Sequence, residues 1–394
     1  MRTSVCIAGG GPAGMMLGLL LARAGVDVEV HEKHADFLRD FRGDTIHPST
    51  LEVIAELGLL DELLKLPHQK MPALGGMFGN YQVTIADFAH LPTRCGFIAM
   101  MPQWDFLTFL ARKAARYPGF RLMMGSEIGS LEGIEADLVV GADGRHSTVR
   151  RLAGLEVQDL GAPIDVMWFR LSRRPSDPAA SMGRFDAGRI FVLINRGDYW
   201  QCGYVIPKGA AEEVRRAGLA AFHESIARML PFAAGRAGEI TAWDQVRLLT
   251  VKVDRLKTWY REGLLCIGDA AHAMSPVGGV GINLAIQDAV AAANILAGPL
   301  LERRLTVEHL AQVQRRREWP VRATQRMQLL VQDRIIARVL RANERLEPPL
   351  FFRLVSRFPW LQRLPGRLIG MGVRPEHVRT TEAAPARAPQ GTKG

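Results

Sequence analysis

The sequence predicts an α/β protein in which a doubly wound, dinucleotide-binding domain is interrupted by an antiparallel sheet and followed by C-terminal helices. Three observations predict this arrangement. A β-prone run at Ser4 to Ala8 leads through glycines into a helical segment and a second β-prone run at Val26 to Val30, which together form a βαβ unit. Between about Val157 and Val246, β-forming residues alternate or cluster between turns. A buried strand pattern then returns at Leu264 to Ile267, so the first domain is discontinuous.

These changes of pattern set the expected limits of the domains. Further helical patterns lie at Pro48 to Leu66, Gln103 to Tyr117, Ile282 to Leu296 and Leu305 to about Arg345. The chain ends in a stretch rich in Ala, Pro, Gly and Lys, which is typical of a mobile tail. The dinucleotide domain is expected at 1–76, 96–156 and 246–300, the sheet domain at 77–95 and 157–245, the C-terminal helices at 301–372 and the tail at 373–394.

The composition excludes several classes of protein. With 394 residues and 48% hydrophobic content, the chain can bury a large core. Its formal net charge is +10, but no recognition helix, zinc finger or RNA-binding signature accompanies the excess, so no nucleic-acid partner is expected. The four cysteines are scattered without a CxxC pair, which predicts no metal site and no disulfide framework, and fits a cytoplasmic protein.

Two apolar segments bear on membranes. The run Met15 to Ala22 fits a buried helix after a glycine turn better than a secretory signal, and Asp288 interrupts the long apolar run after Gly281. No membrane-spanning helix is therefore expected. Phe351 to Arg367 forms a basic amphipathic element, which predicts a helix packed on the protein and leaves a weak membrane-surface or partner contact open.

The first chemical motif is Gly9-Gly10-Gly11-Pro12-Ala13-Gly14, directly after a strand, with Glu32 at the end of the next strand. Glycines let the backbone approach a pyrophosphate at a helix N-terminus, and the carboxylate of Glu32 can accept hydrogen bonds from a ribose. The neighbouring His31-Glu32-Lys33-His34 only superficially resembles a zinc motif, because its second histidine comes one residue too early. The motif therefore predicts dinucleotide binding.

Two later motifs are individually ambiguous. Asp143-Gly144 follows a buried strand, and Gly268-Asp269 precedes the glycine-rich loop from Pro276 to Asn283. A carboxylate at a strand end can hold a ribose or polyol, and glycines at a helix N-terminus expose N–H donors. Each motif alone fits a simple turn equally well.

In this order and spacing, the three motifs resemble those of the FAD-dependent aromatic hydroxylases, the para-hydroxybenzoate hydroxylase-like, class A flavoprotein monooxygenases. The resemblance covers roughly residues 1 to 300. It implies a Rossmann-like FAD-binding domain with an inserted antiparallel-sheet substrate domain, with Arg42 near the pyrophosphate and Asp143-Gly144 serving both FAD and NAD(P)H. The cofactor-binding residues predicted in this way are Gly9, Gly11, Pro12, Ala13, Gly14, Glu32, Lys33, Arg42, Gln103, Asp143, Gly144, Arg145, Asp269, Pro276, Gly279, Gly281, Ile282 and Asn283.

The sequence departs from the family pattern in two places. Val280 stands where many relatives carry Gln, a change that leaves the backbone donors of the loop in place. Only residues 126–136 separate Gly125 from Asp137, where relatives usually have a small β-meander. Either the meander is trimmed here or residues are absent from the chain.

The resemblance implies an activity and a place for the substrate. NADPH or NADH would reduce FAD, and the reduced flavin would react with O2 to a C4a-hydroperoxide that hydroxylates a small aromatic or polycyclic compound. His47 is a candidate base for a phenol, or simply a polar residue before a helix. Alternatives are an FAD-dependent reductase or dehydrogenase without oxygen insertion, and a membrane-associated quinone-pathway hydroxylase. The candidate substrate-pocket residues, each of which could instead be sheet core, are Trp168, Phe191, Trp200 and Tyr204.

Overall fold

The computed structural model describes residues 3–38, 44–342 and 347–383. The strands are β1 (Thr3–Ala8), β2 (Val28–Glu32), β3 (Thr45–Ile46), β4 (Gln69–Met71), β5 (Ala73–Phe78), β6 (Tyr81–Asp87), β7 (Ile98–Met100), β8 (Phe120–Met124), β9 (Ala136–Gly141), β10 (Val157–Asp159), β11 (Ile164–Ser172), β12 (Met182–Asp186), β13 (Arg189–Asn195), β14 (Tyr199–Pro207), β15 (Arg247–Leu249), β16 (Asp254–Leu256), β17 (Tyr260–Arg261) and β18 (Leu264–Cys266). The α-helices are α1 (Pro12–Arg23), α2 (Pro48–Glu56), α3 (Leu60–Leu63), α4 (Gln103–Ala114), α5 (Thr148–Leu152), α6 (Ala211–Arg216), α7 (Gly218–Met229), α8 (Gly281–Leu301), α9 (Val307–Val331), α10 (Ala337–Arg341), α11 (Leu350–Arg357) and α12 (Pro359–Gly370).

The dinucleotide domain is built on a six-stranded sheet in the order β17-β18-β9-β1-β2-β8. All of its neighbouring strands are parallel except β17 and β18. The central strand β1 is almost entirely buried, and α1 and α8 pack against one another in the same core. Strands from three distant parts of the chain thus form one sheet, and the predicted discontinuous α/β fold is confirmed.

The inserted domain is a seven-stranded sheet in the order β15-β11-β14-β13-β12-β5-β6. Neighbouring strands are antiparallel except β12 and β5, which are parallel. The sheet draws on slightly more of the chain than the expected 77–95 and 157–245, because β5 starts at Ala73 and β15 extends to Leu249. Gly75 and Gly76 carry no side chains, so the sequence of β5 lacks the usual β-forming pattern.

The connection between β8 and β9 is a short loop. Residues 125–135 contain no strand in this described part of the chain, and Gly125 and Ser126 donate backbone hydrogen bonds to His34 and Glu32. The chain therefore passes directly from the edge strand β8 to the central strand β9, without a β-meander.

One helical stretch, Val277 to Leu301, is long and apolar enough to cross a membrane by length and composition, among the residues described. However, 78% of its most apolar window is buried inside the protein. It consists mainly of α8, which packs against α1 and α9. Its hydropathy is that of a core helix.

The segment 373–383, which we call the C-terminal strap, was expected to belong to a mobile tail, and that expectation is wrong for these residues. Arg23 Nη1 donates to the carbonyl oxygen of Thr380 at 2.8 Å, and the N–H of Ala383 donates to Arg23 at 2.8 Å. Earlier in the strap, the N–H of Val378 donates to Glu56 at 2.7 Å. The strap therefore runs along the dinucleotide domain with its backbone held by hydrogen bonds. The rest of the expected tail, 384–394, lies outside the described residues.

The helix α12 is seated on β6 through a glycine, which yields a test of this packing. A Cβ on Gly366 would lie 2.1 Å from the carbonyl oxygen of Asp87. We expect Gly366→Ala to lower the free energy of unfolding by about 1–3 kcal/mol, because the helix must shift away from the strand. Chemical denaturation measures this. Gly235→Ala is the control, since a Cβ there meets no atom within 4 Å, and an equal loss in both variants would contradict the packing argument.

Candidate cofactor and substrate site

The glycine turn after β1 contains two positions where a side chain is excluded and one that is open. Gly9 has φ +107°, and a Cβ there would lie 2.4 Å from the carbonyl oxygen of Ala142. A Cβ on Gly14 would lie 2.0 Å from the carbonyl oxygen of Gly9. A Cβ on Gly11, in contrast, meets nothing within 4 Å. Gly9 and Gly14 thus allow the turn to form, while Gly11 leaves the space beside it free for a ligand.

The N-terminus of α1 is suited to an anion. Its first turn has no acidic residue and no side-chain cap, and Pro12 occupies the first turn. Ala13 and Gly14 are buried at this end, where helix N–H groups carry partial positive charge. The predicted residues of the first motif are therefore brought together around an uncapped helix end.

Glu32 ends β2 beside this turn. Its Oε2 accepts a hydrogen bond from Gly10 N–H at 3.0 Å, and its Oε1 accepts one from His34 N–H at 3.1 Å. Burial raises the pKa of Glu32, but the hydrogen bonds from His34 and Gly10 outweigh burial and hold this pKa below its ordinary value. The carboxylate stays ionised next to the glycine turn. Lys33, directly after it, is exposed.

The Asp143-Gly144 turn follows β9, the neighbour of β1. Asp143 Oδ2 accepts a hydrogen bond from Val149 N–H at 3.0 Å, while its buried Oδ1 has no partner among the described residues. Gly144 has φ +85°, a conformation that favours glycine. The carbonyl oxygen of Arg145 accepts a hydrogen bond from Arg150 at 2.6 Å. An unsatisfied buried carboxylate oxygen is costly, which favours a ligand hydroxyl at this place.

The Gly268-Asp269 turn packs against the start of α1. Gly268 has φ +59°, and a Cβ there would lie 3.1 Å from the Cβ of Ala13. The N–H of Gly268 donates to Asp288 Oδ2 at 3.0 Å. Asp269 is half-buried and makes no hydrogen bond within the described ranges, which leaves its carboxylate available. The first and third motifs are thus adjacent in space, although they are far apart in the sequence.

A buried ionic network lies beneath this turn. Asp288 Oδ2 is 2.6 Å from His272 Nε2, and Asp288 Oδ1 accepts from Arg317 Nε at 2.9 Å. Burial raises the pKa of Asp288, but His272 and Arg317 act more strongly and hold this pKa below its ordinary value. Arg317 also lies 3.5 Å from Glu376 of the C-terminal strap. This role was not predicted, although an Asp inside an otherwise apolar helix is a signal that the sequence contains.

The loop from Pro276 to Asn283 is fixed from the side of β3. Gly279 has φ +65°, and its carbonyl oxygen accepts a hydrogen bond from Thr45 Oγ1 at 2.7 Å. Asn283 Oδ1 accepts from Thr50 Oγ1 at 2.6 Å, which leaves its buried Nδ2 without a partner among the described residues. Gly281, Ile282 and Asn283, the last three residues of this segment, form the first turn of α8. The loop therefore has a defined conformation and one buried, unused donor.

A row of glutamines on α9 and on the helical turn that follows it holds the backbone leading into the same loop, a feature that was not predicted. Gln325 Nε2 donates to the carbonyl oxygen of Ala273 at 3.1 Å. Gln328 Nε2 donates to Val277 at 2.8 Å, and Gln332 Nε2 donates to Ser275 Oγ at 2.7 Å. Residues three and four apart share one face of a helix, so this spacing was the available signal.

His47, the candidate base, is fully buried at the start of α2. Its N–H donates to Asn283 Oδ1 at 3.0 Å, and its Nδ1 lies 2.9 Å from the carbonyl oxygen of Ile369. Burial lowers the pKa of His47 to about 4, and hydrogen bonding to the backbone of Ile369 and Gly279 offsets only part of this effect. The structure gives His47 a packing and hydrogen-bonding role next to the loop. Its assignment as a base stays a prediction.

A buried ion pair connects the two domains. Arg196, at the end of β13, contacts Asp44, and it also donates to Gln201 Oε1 at 3.2 Å. Asp44 Oδ1 accepts a hydrogen bond from Gln103 N–H at 3.3 Å, which places this predicted residue at the junction. Burial raises the pKa of Asp44 to about 6, while Arg196 and the hydrogen bonds from Gln103 and Gln201 act in the opposite direction. Arg42 lies outside the described residues.

The four candidate substrate residues lie on opposite faces of the seven-stranded sheet. Trp168 packs in a cluster with Val277 of the glycine-rich loop. Phe191, Trp200 and Tyr204 pack in another cluster, with α7 and the segment 231–239. Side chains alternate between faces along a strand, so Trp168 and its neighbour Phe169 point to opposite sides.

The three residues on the second face are core rather than pocket. Trp200 is fully buried, and its Nε1 donates to Asp177 Oδ2 at 2.9 Å. The ring of Phe191 stacks on that of Tyr204 with centroids 4.7 Å apart. The expectation that these three side chains join Trp168 in one pocket is therefore not supported. Their strands were identified correctly, but the sequence did not show which face meets the loop.

Comparison with known proteins places the chain among flavoenzymes. A family profile described as FAD binding domain matches residues 2–133 and 123–327. A 6-methylpretetramide 4-monooxygenase from Streptomyces rimosus is 31% identical over 378 residues, which cover 91% of this chain and 90% of that relative. A rifampicin monooxygenase from Rhodococcus hoagii is 27% identical over 73% of this chain, but the match spans only 62% of the relative.

Solved structures show the same fold. PqsL from P. aeruginosa, in complex with 2-aminobenzoylacetate, superposes with a TM-score of 0.73 at 21% identity, covering 86% of this chain and 98% of that one. OxyS, an anhydrotetracycline hydroxylase from Streptomyces rimosus, superposes with a TM-score of 0.69 at 23% identity, covering 95% of this chain and 77% of that one. At these identities the likeness supports the architecture, and the assignment of chemistry rests on the sequence relatives and the motifs.

The open space at Gly11 gives a test of the dinucleotide site. We expect Gly11→Ala to weaken FAD binding by about tenfold or more, because its Cβ enters the space that a phosphate would use. The thermal unfolding midpoint of the apoprotein should stay unchanged, since that Cβ meets no protein atom. Equilibrium dialysis measures the affinity. Gly129→Ala, also in open space, is the control, and wild-type affinity in both variants would refute the assignment.

The burial of His47 predicts a pH dependence of stability. Its folded pKa of about 4 lies below the ordinary 6.5, so the unfolded chain takes up a proton that the folded protein does not. This contribution to stability is complete above about pH 6.5 and is lost as the pH falls toward about 4. Between about pH 7 and pH 4.5 this ring accounts for a loss of about 2–3 kcal/mol in the free energy of unfolding. In His47→Gln the free energy of unfolding should fall by that much less over the same pH range.

Urea denaturation at several pH values checks this expectation. The exposed His90 supplies the control variant, His90→Gln, which should keep the wild-type slope. Identical slopes in wild type and His47→Gln would show that burial does not lower the pKa of this ring.

Proposed function

Since this chain belongs to the FAD-dependent aromatic monooxygenases of the para-hydroxybenzoate hydroxylase type, we propose that it hydroxylates a planar, polycyclic phenol, with NAD(P)H as reductant and O2 as oxidant. FAD is its cofactor. When bound, FAD accepts electrons from the nicotinamide and activates oxygen, while the chain supplies binding, orientation and exclusion of water. The observation that carries the substrate proposal is the face of the seven-stranded sheet on which Trp168 lies.

The described residues provide suitable partners for each part of FAD. The uncapped start of α1 and the space beside Gly11 suit the pyrophosphate, and Glu32 suits the adenosine ribose. The carboxylate of Asp269 suits the ribityl hydroxyls. The buried Nδ2 of Asn283 is a donor beside the glycine-rich loop, where the isoalloxazine edge would be placed. These roles of individual residues are part of the proposal.

The proposed substrate surface is a row of paired residues across five strands. In register these are Gly76, Gly183, Val192, Gly203 and Trp168. Adjacent strands are about 4.8 Å apart, so the row extends over about 19 Å, a length that suits several fused rings. Three of the five positions are glycine, so no side chain projects from the sheet at these positions.

Two aromatic rings lie over this row. A Cβ on Gly203 would be 3.0 Å from the ring of Trp168. A Cβ on Gly183 would be 2.9 Å from the ring of Phe185. Glycine therefore allows each ring to lie against the strands. Phe185 also stacks on Phe78 with ring centroids 4.4 Å apart, so Trp168 is the ring proposed to stack on a planar substrate. Val277 of the glycine-rich loop belongs to the same cluster as Trp168, which supports a substrate position beside the loop proposed for the flavin ring.

The relatives support a polycyclic rather than a single-ring substrate. The relative that aligns over most of both chains is named for 6-methylpretetramide. Two further relatives are an anhydrotetracycline monooxygenase from Streptomyces rimosus and the rifampicin monooxygenase already described. A fold shared with smaller-substrate enzymes does not by itself select a substrate, so the choice rests on these names together with the sheet face.

We also propose that the protein works in the cytoplasm. All four cysteines are free and buried. Burial raises the pKa of Cys202 and Cys266, the latter to about 12, so these thiols stay protonated and unreactive. This pattern fits a reducing compartment.

The test combines turnover with two variants of neighbouring strands. NAD(P)H oxidation, O2 uptake and product mass are measured with tetracyclic phenols and with single-ring phenols. We expect tetracyclic phenols to stimulate oxidation and to gain one oxygen atom. Trp168→Ala should raise KM by about tenfold, because the stacking surface is lost. Tyr204→Phe, on the opposite face, should leave KM unchanged.

The outcomes separate the parts of the proposal. Stimulation by single-ring phenols alone would overturn the polycyclic assignment and leave the monooxygenase intact. FAD reduction without oxygen insertion into any substrate would favour a reductase. A larger effect from Tyr204→Phe than from Trp168→Ala would show that the substrate uses the other face.

A further inference from the structure

The C-terminal helix pair presents an uncovered apolar surface. In α11, α12 and the one residue between them, six large apolar side chains are between 44% and 71% exposed: Leu350, Phe351, Leu354, Phe358, Trp360 and Leu364. We call this surface the C-terminal apolar patch. Contiguous exposure of this kind marks an interaction surface in most soluble proteins.

The patch is held in place by the inner faces of the same helices. Phe352 and Val355 are buried on the opposite side of α11. Gln362 Nε2 donates to the carbonyl oxygen of Val355 at 3.1 Å, which ties α12 to α11. Gly366 seats α12 directly on β6. These contacts hold both helices against the rest of the protein, so the exposed side chains form a surface of defined shape.

The charges around the patch are mostly positive, and the exception is Glu347, which precedes α11 and pairs with Arg353. From Pro348 to Pro375 the chain contains five arginines and no Asp, Glu or Lys. Arg357, Arg363 and Arg367 are exposed and make no ion pair with any described residue. On α12, Trp360 and Leu364 are four residues apart, as are Arg363 and Arg367, so an apolar stripe is bordered by a basic stripe.

We propose that the C-terminal apolar patch docks the protein on an anionic lipid surface. Between 350 and 367, every exposed residue is apolar or an arginine. A specific protein interface normally also uses neutral polar groups for hydrogen bonds, and this surface has none. Aromatic and leucine side chains bordered by arginines are typical of helices that lie in a bilayer interface, and each arginine gains from anionic headgroups.

A cleft beside the patch gives this docking a use. It has a volume of about 350 Å³ and opens between α10 and α11, where Leu350 and Arg353 form one wall. Phe78 and Val339 also line it, and both belong to the apolar cluster that contains Trp168. An apolar substrate that enters this cleft from lipid would therefore meet Phe78 and Val339, beside the charged Arg334, Arg338 and Glu347 that also line it.

Vesicle sedimentation of the full-length, FAD-loaded protein tests the docking without any measurement of turnover. At physiological salt, the protein should sediment with phosphatidylcholine vesicles that contain roughly one third phosphatidylserine, and far less with phosphatidylcholine alone. The triple variant Arg357→Gln, Arg363→Gln, Arg367→Gln should lose about tenfold or more in partition coefficient. The triple variant Phe351→Ser, Trp360→Ser, Leu364→Ser should lose at least as much.

Matched controls use exposed residues on other elements. Arg112→Gln, Arg216→Gln, Arg228→Gln removes the same charge, and Met123→Ser, Leu248→Ser, Leu301→Ser removes exposed apolar side chains. Both controls should bind vesicles like wild type. FAD absorbance and the thermal midpoint confirm that each variant is folded.

Two results would overturn the proposal. Equal loss of binding in the Arg112 control and the Arg357 variant would show that only net charge matters. Absence of vesicle binding, together with a dimer in sedimentation velocity that the Phe351 variant abolishes, would show that the patch joins two copies of the chain. Neither result would affect FAD binding or the proposed hydroxylation.

Discussion

The buried carboxylate of Asp288 is the interaction on which the cofactor site depends most. Its two oxygens accept from Gly268 N–H and Arg317 and contact His272, and these partners come from two distant parts of the chain, the 268–272 turn and α9. A buried charge is tolerated only when such partners compensate it, and loss of one partner typically costs about 3–5 kcal/mol. Because Asp288 lies in α8 and needs these partners, it fixes the position of the Gly268-Asp269 turn against α1.

This requirement extends to the C-terminus. Arg317 on α9 pairs with both Asp288 and Glu376. The ionic network therefore runs from the Gly268-Asp269 turn through Asp288 and Arg317 to the C-terminal strap. The glutamines of α9 add hydrogen bonds to the backbone of the adjacent loop. Helix α9 and the C-terminal strap, which follow the six-stranded sheet in the sequence, thus support the cofactor site from behind the loop.

The sequence predicted well those features that a local pattern determines. No residue with a side chain fits at Gly9 or Gly14 in their turn. The parallel strands follow from the alternation of apolar segments with helices. It predicted poorly those features that depend on partners far away in the chain. From the sequence His47 is a candidate base or a polar residue before a helix, and only the fold brings the carbonyl of Ile369 to it. The choice between Trp168 and Tyr204 depends on which face of the sheet meets the loop, and alternation alone does not identify that face.

The short loop of Pro276 to Asn283 explains why so many restraints converge on one region. Gly279 is tied to Thr45 on the dinucleotide side, while Val277 packs in the cluster that contains Trp168. The loop therefore contacts both domains within three residues, and any shift in it would move the proposed flavin edge relative to the sheet face. Small misplacements of reacting groups are costly in rate. The hydrogen bonds from Gln328 and Gln332, together with the buried Asp44–Arg196 pair, restrict that shift from opposite sides.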